Sequence, residues 1–215
     1  METKTEVDPQ LVRQLREKTN AGIMDCKRAL AESGGDLDKA EAVLRTKGIA
    51  SAGKKASRAT KEGIVASYIH LQGKVGVLVE VNCETDFVAK NEKFREFVKD
   101  ITLHIAAAHP LYVNRDEVPG QLIESERAIY QAQVKGKPEN VISKIVDGKL
   151  DKFYSTVCLT EQGFIKNPDQ TVKELVATKI AELGENIVIR RFTRYLVGEP
   201  LSSEAAPVEA ADEAV

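Results

Sequence analysis

The sequence predicts an α+β protein, with a small three-helix module ahead of a core in which helices pack on a three-stranded antiparallel sheet. Three observations carry that prediction. Apolar residues recur at helical spacing in three short segments between residues 8 and 46. Apolar and polar residues alternate in two adjoining runs from residue 63 to residue 83, and again from residue 186 to residue 196. Helical periodicity fills the long interval between those runs. A chain of 215 residues has room for one substantial core and a small satellite domain.

In "VDPQLVRQLREKT", Asp8 is a good N-cap, Pro9 takes the first helical position where its missing N–H costs nothing, and Leu11, Val12 and Leu15 share a face. Asn20 to Gly22 break that helix. "GIMDCKRALAES" places Ile23, Cys26, Ala29 and Leu30 at helical spacing, and Gly34 and Gly35 end it. Asp36 caps a third short helix carrying Leu37, Ala40, Val43 and Leu44. Helices this short are marginal alone, so the three stripes must close on one another. "KGIASAGKKASRATKEG" follows, with Lys47, Lys54, Lys55, Arg58 and Lys61 ahead of its first acid, Glu62. It reads as a solvated, partly helical linker; a contact with phosphate or with an acidic partner is the alternative.

"GIVASYIHLQGKVGVLVEVNCETDF" reads as two antiparallel strands joined at about Gln72 to Lys74. In the second, Val75, Val77, Val79, Val81 and Cys83 take one face. From Asn91, which can cap a helix, Phe94, Phe97, Val98, Ile101 and Ile105 recur at helical spacing until Pro110. "PGQLIESERAIYQAQVKG" and "PENVISKIVDGKLDKFYSTVCL" are two further helices across a Gly-Lys-Pro break. "QTVKELVATKIAELG" adds another, with Val172, Leu175, Val176 and Ile180 on a face. In "ENIVIRRFTRYLVG", Ile187, Ile189, Arg191 and Thr193 alternate against Val188, Arg190, Phe192 and Arg194 as the third strand. A small open sheet leaves edges that invite a partner or a second copy. The acidic stretch over residues 199–215 has too little apolar bulk to order and is expected to be a disordered tail.

Composition excludes several functions. Lys and Arg number 31 against 33 Asp and Glu, for a net charge of −2, which gives no general attraction to nucleic acid or to anionic lipid. "METKTEVDPQ" has no apolar segment of a secretory signal, and no run is long and apolar enough for a membrane span. Cys26, Cys83 and Cys158 are far apart, which argues against a structural zinc site or a disulfide framework and fits a reducing compartment. Cys83, in register with the valines, reads as a small buried hydrophobe, as does Cys26, while Cys158 reads as buried or close to a self-association surface.

An enzyme reading finds few residues to use. His70, His104 and His109 form no metal-binding pattern, and each of the first two reads as a surface or satisfied polar residue. No serine lies in Gly-x-Ser-x-Gly, and "GKVG" at residues 73–76 lacks the spacing of a phosphate loop. Glu84 and Asp86 are a carboxylate pair without a pocket to orient a substrate. No catalytic residue, cofactor or metal is therefore expected.

"TDFVAKN" holds the open question. Phe87 either packs under the helix beginning near Asn91, as a staple-like anchor, or stands exposed beside Asp86 as a rigid probe for another protein's pocket. Composition and periodicity leave both readings standing, with periodicity leaning to the buried one.

Several long segments resemble the elongation factor Ts family, the guanine-nucleotide exchange factors of elongation factor Tu in bacteria, plastids and mitochondria. They are "LVRQLREKTNAGIMDCKRAL", "GDLDKAEAVLR", "EVNCETDFVAKNEKF", "QGFIKNPDQTV" and "GENIVIRRFTRYLVG", in family order over nearly all of residues 8–198. The resemblance implies a ubiquitin-associated-like three-helix module over residues 1–47, a basic linker over 48–62 and an exchange and dimerisation core over 63–198. It implies that the module lies against the nucleotide-binding domain of factor Tu. It also implies that Thr85, Asp86, Phe87 and Val88 push into factor Tu and disturb the elements that hold magnesium beside the phosphates. Leu15, Asn20, Ala21, Gly22, Ile23 and Met24 are implied as further partner contacts. The chain is short for the family, whose longer members carry a duplicated core and a coiled-coil insertion, and such short members resemble those that pair as homodimers in a two-plus-two complex. A bacterial cytoplasm is expected, or a plastid stroma for a plastid gene. A binding scaffold without exchange activity and a small-molecule enzyme with a polar pocket near Glu80, Glu84 and His70 are the rival readings.

Overall fold

A computed structural model describes residues 7–19, 21–134 and 138–200 of the chain. The expected tail beyond Pro200, and Asn20 among the expected contacts, lie outside the described residues. The chain opens with α1 (Pro9–Thr19), α2 (Ile23–Glu32) and α3 (Leu37–Lys55). Asp8 Oδ1 accepts from the N–H of Gln10 at 2.8 Å, and Asp36 Oδ1 accepts from those of Asp38 and Lys39 at 3.1 and 3.0 Å, so both expected caps form. Leu15, Cys26, Ala29, Leu30 and Ala40 close into one buried cluster.

The third helix is longer than its apolar stripe suggested. It continues through residues 48–55 of the expected linker and packs on α8 (Val172–Leu183). Small residues permit that approach: a side chain added at Gly48 would meet the Ala177 carbonyl at 3.8 Å and the Ala181 methyl at 3.9 Å. Three of the five bases of this segment are engaged within the protein itself. Lys47 pairs with Glu32 at 2.5 Å, Lys55 Nζ donates to the Ile180 carbonyl at 3.4 Å, and Arg58 sits 3.4 Å from Glu84.

The main sheet has the order β1–β2–β5, formed by β1 (Glu62–His70), β2 (Val75–Cys83) and β5 (Val188–Leu196), all antiparallel. Gly63 opens β1 with φ 145°, where a Cβ would overlap the Val81 carbonyl, so only glycine fits. All five alternating residues of β2 from Val75 to Cys83 are buried. They face α5 (Glu92–Ala108), whose Phe94, Phe97, Val98, Ile101 and Ile105 complete the main core. Asn91 caps α5, accepting from Lys93 N–H at 2.9 Å.

In β5 the expected alternation changes phase. Val81 pairs with Ile189 and Glu80 with Arg191, so Arg190 is an extra residue in a bulge. Ile187 and Ile189 are buried before it, Phe192 and Arg194 turn inward after it, and Arg191 and Thr193 are exposed. A second, two-stranded sheet that the sequence did not suggest joins β3 (Gly163–Phe164) to β4 (Asn167–Thr171). Thr171 and Glu174 then start α8 with a capping box.

The expected middle helices are α6 (Gly120–Gln133) and α7 (Glu139–Val157). No residue of α6 is buried, and Val146, Leu150 and Val157 are the buried residues of α7. His104 in α5 is buried and satisfied. Its Nδ1 accepts from Ile165 N–H at 3.2 Å, which leaves Nε2 to donate to Gln162 Oε1 at 3.0 Å. Cys26, Cys83 and Cys158 are buried and free, and burial pushes the thiols of Cys83 and Cys158 up to about 11. Among the described residues no helix is long and apolar enough to cross a membrane.

Candidate partner-binding surface

A helix of five residues, α4 (Asp86–Lys90), leaves the end of β2. Thr85 is its N-cap: the hydroxyl oxygen accepts from Val88 N–H at 3.4 Å and donates its own proton to Glu185 Oε1 at 2.6 Å. Glu185 Oε2 accepts from the N–H groups of Glu84 at 3.1 Å and Thr85 at 3.0 Å. Cys83 Sγ lies 3.2 Å from the Thr85 carbonyl, so the strand's last buried residue also ties to the cap.

From this root the four expected residues part company. Val88 packs against the main core and Ala89 is buried. Phe87 points the other way and is 81% exposed, so the staple-like packing that periodicity favoured does not occur. A helical turn that packs Val88 inward and buries Ala89 must aim position 87 outward. Asp86 pairs with Lys90 one turn later at 2.6 Å, and Lys90 holds its carboxyl below the usual carboxylate range. The surface of α4 is thus an apolar ring beside an ion pair on the outside of the fold.

The N-terminal set divides as well. Ile23 and Met24, at the start of α2, are 54% and 64% exposed, and Gly22 before them is exposed while Ala21 is half-buried. Leu15 is fully buried in the module's core, so its side chain lies off the free surface that Ile23 and Met24 share. It supports the turn instead: Thr19 Oγ1 donates to the Leu15 carbonyl at 2.7 Å and accepts from Ala21 N–H at 3.3 Å. The two sets rest on separate clusters, one around Leu15 and Cys26, the other under Cys83 and Phe94.

The residues weighed for enzyme chemistry are otherwise engaged. Arg191 lies 2.7 Å from Glu80 and keeps that carboxyl ionised, Glu84 accepts from Asn186 N–H at 2.6 Å, and His70 Nδ1 is 2.9 Å from the Tyr68 hydroxyl. Among the described residues no group of three or more His, Cys, Asp or Glu could hold a metal ion. Sequence reasoning missed Glu185. It falls inside "GENIVIRRFTRYLVG", yet nothing local reveals a bond to residues a hundred positions earlier.

Comparison with known proteins agrees with the quoted segments. The family model described as Elongation factor TS matches residues 50–199. The chain is 57% identical over 206 residues to Elongation factor Ts of Citrifermentans bemidjiense, covering 93% of this chain and 95% of that relative. It is 56% identical over 211 residues to Elongation factor Ts of Carboxydothermus hydrogenoformans, covering 95% and 97%. For Elongation factor Ts of Thermodesulfovibrio yellowstonii the identity is 55% over 194 residues, covering 90% and 97%. With the matched region spanning most of the chain and these relatives aligned nearly end to end, the chain belongs to the elongation factor Ts family.

Proposed function

We propose that this chain binds elongation factor Tu in its GDP-bound form and promotes release of GDP and its replacement by GTP. The observation that carries the proposal is Phe87, an aromatic side chain 81% exposed on a short helix whose root is hydrogen-bonded from both sides. Full burial of such a ring in a partner's pocket is worth about 1.5–3 kcal/mol.

The mechanism is linkage. A factor that binds nucleotide-free Tu more tightly than GDP-bound Tu must weaken GDP by the same ratio, and each 1.4 kcal/mol of difference is worth about tenfold. Thr85, Asp86, Phe87 and Val88 act together here. Thr85 and Val88 anchor α4, while Asp86 and Phe87 disturb the surroundings of the magnesium ion held by factor Tu. Magnesium tolerates little departure from octahedral geometry, so a small displacement is effective. Ile23, Met24, Ala21 and Gly22 supply a second contact on the nucleotide-binding domain. No covalent chemistry and no cofactor of this chain enters, and the work takes place in the cytoplasm.

Stopped-flow release of a fluorescent GDP from factor Tu, with and without this protein, tests the proposal. Release is expected to accelerate until the protein saturates. Binding without acceleration would leave a scaffold role in its place.

A second reading concerns self-association. The outward face of the sheet carries Val65, Ile69, Leu78 and Tyr195, all exposed. The strand register sets Leu78 between Ser67 and Thr193, and Gly76 between Ile69 and Tyr195. We infer that two copies pair, in a two-plus-two complex with factor Tu, and that this face contributes. Light scattering at micromolar concentration should give the mass of two chains, and Leu78→Arg should reduce it to one. A single-chain mass for the unaltered protein would end this reading.

A further inference from the structure

We infer that Glu185 is the positioning residue of α4, the group that aims Phe87; the inference rests on the reading of Phe87 as the exchange contact. Glu185 stands between α8 and β5, just after Gly184, whose φ of 78° makes the left-handed turn that ends α8. From there its carboxylate reaches the opposite end of the β2–α4 connection. Oε2 takes the two successive N–H groups of Glu84 and Thr85, and Oε1 takes the Thr85 hydroxyl proton at 2.6 Å. One carboxylate therefore fills three donors at the corner where the strand becomes the helix. Hydrogen bonds to an ionised acceptor are about twice as strong as neutral ones.

Packing of Val88 and Ala89 on the main core holds one side of α4, and hydrogen bonds fix its ends. A helix of five residues has no stability of its own, and only one of its residues, Ala89, is buried. Phe87, being exposed, contributes nothing to holding the helix in place. Its C-terminal end is tied by Asn91 N–H to the Val88 carbonyl at 2.9 Å and by Arg95 Nε to the Ala89 carbonyl at 3.3 Å. At the N-terminal end Glu185 supplies three of the bonds, beside the Thr85 cap on Val88 N–H and the Cys83 contact with the Thr85 carbonyl.

The base of that carboxylate is itself immobilised. Asn186, the next residue, is buried; its N–H donates to Glu84 Oε1 at 2.6 Å, and its Nδ2 donates to the carbonyls of Ala56 and Arg58 at 3.3 and 2.9 Å. Arg58 completes the ring with Glu84 at 3.4 Å. The same dipeptide thus grips α4 through Glu185 and the exit of α3 through Asn186. Side chains in such a network have one arrangement available, which is what a positioning role requires.

The test is a double-mutant cycle on the saturating rate of GDP release, with Phe87→Ala, Glu185→Ala and the pair. Glu185→Ala is expected to slow release about fivefold or more in the unaltered protein and less than about twofold when Phe87 is already Ala. Glu185→Gln, which keeps an oxygen for both N–H groups, should restore most of the rate. Equal slowing in both backgrounds, or none in either, overturns the assignment. Amide hydrogen exchange of the free protein gives a readout independent of factor Tu. The N–H groups of Glu84 and Thr85 should exchange about tenfold faster in Glu185→Ala, while those in the middle of α5 stay protected. Unchanged exchange there overturns the assignment. If Phe87→Ala alone leaves release unaltered, the reading of Phe87 fails instead, and amide exchange alone decides whether Glu185 fixes α4. Should Glu185→Ala not fold, Glu185→Asp, whose carboxylate is one methylene short of the corner, replaces it in both measurements with the same expected direction.

Discussion

Helices α4 and α5 follow one another across a single residue, both begin with a side-chain cap, and both place a phenylalanine near the start, yet the two rings have opposite fates. Phe94 is fully buried beneath the sheet, whereas Phe87 is 81% exposed. The difference lies in length and in what each helix packs on. Over 17 residues α5 presents eight buried positions to the sheet and the neighbouring elements. Over five residues α4 has one buried position, Ala89, with Val88 packed beside it, and hydrogen bonds fix its two ends. An aromatic residue on the packed face of a helix stabilises the fold; on the outer face of a short helix fixed at its root it is available to another molecule.

That contrast can be broken by mutation. Phe94→Ala should cost about 3–5 kcal/mol in urea unfolding, because it opens a cavity in a core that cannot collapse around it. A cost below about 1 kcal/mol would mean that Phe94 is not packed in the main core.

A second prediction concerns pH and the buried imidazole of α5. Burial holds His104 below its ordinary value of 6.5, and the bond from Ile165 N–H requires an unprotonated Nδ1. Above about pH 6.5 both folded and unfolded chains are neutral at this site and its stability is fully present. As pH falls below that value the unfolded chain takes up the proton first, so stability declines until the folded imidazole also titrates. The slope from one such group cannot exceed about 1.4 kcal/mol per pH unit. Urea midpoints between pH 7 and pH 5 should therefore fall more steeply for the unaltered protein than for His104→Gln. Parallel curves would contradict the buried neutral histidine.

The smallest effect is expected outside. Lys90→Gln removes the partner of Asp86 on the exposed side of α4, where solvent screens the pair. The unfolding midpoint should hardly move, and a large shift would show that α4 is held by its ion pair and not by its ends.

Much of this architecture was legible because it is periodic. The alternation of β2 and the helical spacing of α5 each identified the buried face residue by residue, and Asp36 and Asn91 announced their helices through capping chemistry. What remained hidden depends on contacts distant in sequence. The bulge at Arg190 reverses which residues of β5 face inward, and only the pairing with Glu80 and Val81 determines that. The second half of α3 is held to α8 through small residues, which leave no hydrophobic stripe to read. The N-terminal signature mixed a core residue, Leu15, with the exposed Ile23 and Met24, since resemblance marks a segment without separating what it buries from what it shows. Phe87 is the same problem in miniature. Its exposure follows from the inward packing of Val88, the burial of Ala89 and the bonds of Glu185, none of which a local period contains.

The central claim is that Phe87 belongs to a partner's surface and not to this protein's core. Phe87→Ala should be measured twice, by urea unfolding and by stopped-flow release of fluorescent GDP from factor Tu at saturating protein. Stability should stay within about 0.5 kcal/mol of the unaltered protein and release should slow about 10- to 100-fold, the equivalent of one buried aromatic ring. Unslowed release, or a loss of several kcal/mol in stability, would contradict it.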